Sequence, residues 1–81
     1  MKQEDVRVKY NALFDKCFLI SLDSDVESDT KRDIEVSLGG CKHWMEVYLH
    51  QTTSTSLKDE ALEIFNEYYT ETLDLLEKAY N

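Results

Sequence analysis

The sequence predicts an α+β domain: a small antiparallel β-sheet of three or four strands packed by a C-terminal α-helix. Three observations carry that expectation. Apolar residues fall on alternate positions near the start, a Gly-Gly pair separates two further alternating runs, and an amphipathic stretch without a helix breaker fills the last third of the chain. The 81 residues leave room for a single domain, 1–81, with one core.

The first strand is expected from Val6, Val8, Tyr10, Ala12 and Phe14, whose period of two places them on one face with Arg7, Lys9 and Asn11 on the other. Asp15-Lys16 can turn tightly into a second, mostly apolar strand at 17–22. The same residues also admit a helical reading, with Val6, Tyr10, Phe14, Cys17 and Ser21 along one side. Residues 23–33 hold five acids, two bases and one apolar side chain, and read as a mobile loop.

Ile34, Val36 and Leu38 alternate up to Gly39-Gly40, and Met45, Val47 and Leu49 alternate after it. A glycine pair between period-two runs marks a β-hairpin, because both central residues of a type I′ turn need positive φ. The alternative fold, a three-helix bundle, ranks second because two interior glycines would cost its middle helix about 2 kcal/mol relative to alanine. After the spacer 52–56, Ser56 and Asp59 resemble a capping box that starts a helix over 57–80. Its apolar face carries Leu62, Phe65, Tyr69, Leu73, Leu76 and Tyr80, with Tyr68 at the border.

Opposite that face stand Glu60, Glu63, Glu67, Glu71 and Asp74, an acidic stripe about 20 Å long at 1.5 Å per residue. Like charges three or four positions apart cost an isolated helix about 0.2–0.5 kcal/mol per pair, so an unmixed stripe invites a reason beyond solubility. Aligned carboxylates can imitate phosphates, which follow one another along a DNA strand with about 3.4 Å of axial rise. The loop adds a second acidic cluster in Asp23, Asp25 and Glu27, together with Asp29.

The alternating acids of the loop lack the glycine and the terminal glutamate of a calcium loop, Ser28 and Ile34 standing there instead, so no metal is expected. Ser21, Ser24 and Ser28 lie among acids where phosphate would deepen the same negative field. Cys17 and Cys41 show no metal or redox spacing and are expected as reduced thiols. Cys41 and His43 would share a strand face but stand too far apart for a hydrogen bond, and His50 has no evident partner. No catalytic residues and no cofactor are expected. Trp44 and Tyr48 would form an aromatic interface patch on the outer strand face if Met45, Val47 and Leu49 line the core.

Seventeen acids against nine bases give a net charge of −8. That balance disfavours direct binding to nucleic acid or an anionic membrane and favours a basic protein surface, that of a nucleic-acid-binding protein foremost. No apolar run reaches the roughly 18 residues of a membrane span, and the start Met1-Lys2-Gln3-Glu4-Asp5 is too polar for a secretory signal, so a cytoplasmic location is expected. In size, charge and layout the chain resembles the small acidic inhibitors that bacteriophages use against host defence, anti-CRISPR proteins among them. That likeness rests on no motif and implies a DNA-mimic inhibitor acting in the host cytoplasm. Two other roles fit the composition: a structural or regulatory subunit acting through self-association or a basic partner, and an immunity protein or antitoxin against a basic nuclease.

Overall fold

Val6, Leu13 and Ile20 recur every seven residues and are buried, as is Cys17 between the last two. That spacing returns to one side of a helix every two turns. A computed structural model describes residues 3–80, with side chains from 5 to 80, and places three helices there: α1 (Gln3–Ser21), α2 (Ser28–Leu49) and α3 (Thr55–Ala79). They form an elongated bundle of 43 × 18 × 17 Å, and no strand is present among the described residues. Met1 and Lys2, from the segment judged too polar for a secretory signal, lie outside the described residues.

The expected β-sheet is therefore overturned in favour of the three-helix alternative. In the first expected strand, Val8 is 67% exposed and Ala12 is also exposed, although period two would bury both. The expected strand at 17–22 instead completes α1, burying Cys17 and Ile20 while Phe18 and Leu19 face outward. In the expected hairpin, Val36 is 69% exposed while Ile34, Ser37, Cys41 and Met45 are buried, a spacing of three and four residues. No glycine among the described residues has the positive φ that a type I′ turn requires.

The cost of a glycine in mid-helix is offset at position 40 by close packing. A Cβ on Gly40 would stand 2.6 Å from both Tyr68 Cδ1 and Tyr68 Cε1, so the bare backbone of α2 accepts the tyrosine ring. A Cβ on Gly39 would meet nothing within 4 Å. Beside this contact lies a buried polar cluster. The Thr72 hydroxyl donates to the Tyr68 carbonyl at 2.8 Å and can accept from Ser37 Oγ at 2.6 Å, with Cys41 Sγ 3.8 Å from Thr72 Oγ1. These bonds satisfy the polar groups that a close seam buries and help to fix the register of α2 against α3.

The mobile loop expected over 23–33 shrinks to the residues between α1 and α2, because α2 begins at Ser28. Val26, the one apolar residue of the expected loop, is buried and pins the connection to the core. α3 starts two residues earlier than expected. Ser54, not Ser56, is the N-cap, and its hydroxyl accepts from the Leu57 N–H at 3.3 Å. The buried face of α3 is also rotated from the expected one: Ala61, Phe65, Thr72 and Leu76 are buried, whereas Leu62, Tyr69 and Leu73 are half-buried and Tyr80 is exposed.

Candidate functional site

The outer face of α3 carries Glu60, Glu63, Glu67, Glu71 and Asp74, all exposed. They face away from the side that buries Phe65 and Thr72, so the helix displays them as one row. None has an ion-pair partner among the described residues. The ion pair found there is Arg32–Asp29 at 3.5 Å, an exposed contact on α2 that contributes little stability. Lys9 of α1 donates to Asn66 Oδ1 at 3.1 Å and sits 4.3 Å from the Tyr69 ring centroid, beside the stripe. A shallow groove lined by Glu63, Asn66, Glu67 and Thr70 opens along this face.

The loop acids are placed separately. α1 and α3 run in the same direction, with Lys9 against Asn66 near one end and Leu19 beside Leu76 and Tyr80 near the other. The loop after α1 therefore lies at the end of the bundle where α3 finishes. Asp23 is half-buried and its carboxylate accepts the Asp25 N–H at 2.9 Å, a local turn, while Asp25 and Glu27 are exposed. Among the described residues no group of three or more His, Cys, Asp and Glu side chains is placed to hold a metal ion.

Trp44 and Tyr48 do not lie on an outer strand face, because the strand is absent. They are half-buried on α2, packed against the core. His43 meets Trp44 edge-on at 5.1 Å between centroids. Cys41 and His43 would have shared a strand face; on a helix two residues apart they diverge, leaving Cys41 buried and His43 exposed. Burial pushes the Cys41 thiol up, an effect opposed by its contact with Thr72, and pushes Cys17 up to about 11, with Cys41 adding to the rise. Neither thiol is therefore a ready nucleophile near neutral pH. Tyr10 is raised likewise, first by burial and then by Cys41, Cys17 and Glu46. His50 ends α2, its Nδ1 lying 2.8 Å from Thr52 Oγ1.

A second surface escaped the sequence reading. Phe14, Phe18 and Leu19 near the C-terminal end of α1 and Leu22 in the turn just after it are 46%, 54%, 64% and 67% exposed. Phe14 and Phe18 border an open cleft of about 320 Å³ against Ile34 and Leu38 of α2. The signal was present: seven of the ten residues from Leu13 to Leu22 are apolar, so a helix there cannot hide them all against two neighbours. As a central strand covered on both faces, the same run needs no outlet.

No helix among the described residues is long and apolar enough to cross a membrane. Compared with protein-family models, curated proteins and solved structures, the chain matches none.

Proposed function

We propose that this domain is a non-catalytic protein inhibitor that presents the acidic stripe of α3 to the basic groove of a nucleic-acid-binding protein, as a DNA mimic of the anti-CRISPR-like, phage anti-defence kind. The observation that carries the proposal is the row of five exposed carboxylates, from Glu60 to Asp74, without an ion-pair partner among the described residues. Fourteen residue steps extend the row over about 21 Å, and helical neighbours stand roughly 5–6 Å apart at Cβ. A groove lined with lysine and arginine for phosphates would meet a similar line of negative charge already fixed on a rigid element, so binding would order little.

On this reading the target is a basic protein surface in the cytoplasm, the host's if the chain is phage-encoded, and the domain contacts neither nucleic acid nor membrane itself. A nuclease neutralised by an immunity protein or antitoxin is one form such a target can take. The test is capture of partners from a host lysate at about 50 mM and 500 mM salt, followed by challenge with double-stranded DNA. The reading expects nucleic-acid-binding proteins that are retained at low salt, lost at high salt and displaced by DNA. Partners that DNA does not displace would contradict it.

A further inference from the structure

The exposed apolar end of α1 has a physical requirement that the acidic stripe does not address. Phe14, Phe18, Leu19 and Leu22 are neighbours on consecutive turns, and together they leave roughly 450 Å² uncovered, taking about 200 Å² for each fully exposed side chain. A contiguous apolar patch of that size lies within the range of the largest found on ordinary monomers, which are often functional.

Charge points to the occupant. α1 is neutral, with Glu4, Asp5 and Asp15 against Arg7, Lys9 and Lys16, whereas α3 carries seven acids against two bases. Around the patch stand Asp15, Asp23, Glu35 and Glu77 against Lys16 and Lys31, a sum of −2 where the five acids of the α3 stripe carry −5. A basic ligand gains less attraction there than along the stripe and would be drawn to α3 instead. A second copy can pair through the neutral α1 with less repulsion than through any face of α3, while the two acidic stripes stay on the outside.

We propose that two copies of this chain pair through the exposed apolar face of α1 as an isologous dimer, with Phe14, Phe18, Leu19 and Leu22 at its centre. In such an interface each surface meets itself about a two-fold axis, so every contact made by the patch is made twice. Both patches and their polar rim would bury about 1,000 Å² in total, the low end for a specific contact. The dimer therefore forms in the micromolar range and dissociates on dilution.

Sedimentation of the purified chain from about 1 to 300 μM tests this. The mass should rise from 9.5 kDa toward twice that value. Added salt should strengthen the dimer by screening repulsion between two chains of charge −8, the opposite of what salt does to an acidic stripe in a basic groove. Phe18→Glu with Leu22→Glu should remain monomeric throughout with unchanged helicity, since both side chains are exposed. A chain that stays at 9.5 kDa up to 300 μM would overturn the proposal, even if it bound a basic amphipathic helical peptide at the same face, and so would a dimer indifferent to the Phe18 and Leu22 changes.

Discussion

A Cβ on Gly40 would collide with the Tyr68 ring, while a Cβ one residue earlier would meet only open space. The adjacent glycines should therefore respond oppositely to alanine. Gly39→Ala should stabilise the domain by about 0.5–1 kcal/mol, the ordinary helix-propensity gain. Gly40→Ala gains the same propensity but displaces a half-buried ring, which costs about 1–3 kcal/mol, so net destabilisation of about 1 kcal/mol is expected in chemical denaturation. The buried thiols give a second residue-scale expectation. The folded state holds the Cys17 proton up to about pH 11, whereas an ordinary thiol releases it near 9.0. Stability should be intact below about pH 9 and fall as pH climbs toward 11. Urea midpoints at pH 8 and 10.5 check this, and Cys17→Ala should show the smaller loss.

At the scale of the element, α3 was legible because its apolar positions and its acids each keep the helical period over about four to five turns. The first two helices were not, and the reason is specific. Val6, Val8, Tyr10, Ala12 and Phe14 alternate by composition, yet α1 buries Val6, Leu13, Cys17 and Ile20, at steps of seven, four and three residues, and leaves Val8 and Ala12 outside. In α2 the glycine pair imitates a turn, because the packing of Tyr68 that justifies Gly40 is a contact 28 positions away and invisible to local pattern. The acidic stripe could be read from period alone, whereas the α1 patch could be seen only once the run 13–22 was known to be helical with two neighbours.

For the whole molecule, the bundle separates two surfaces of different character: a negative row along α3 and an apolar patch on α1. Their opposite salt responses allow each role to fail without the other. The stripe is tested most directly by comparing two charge-reversed triples for affinity toward the captured partner. Glu63, Glu67 and Glu71 changed to lysine alter the row, while Asp25, Glu27 and Asp33, also exposed, lie outside it. Each reversal adds two units, so both triples move the net charge by six, from −8 to −2. Neither should unfold the domain, and the stripe triple should relieve like-charge repulsion along α3. The account predicts at least a tenfold loss of affinity, about 1.4 kcal/mol, from the stripe triple and a much smaller loss from the other; equal losses, or none from the stripe triple, would contradict it.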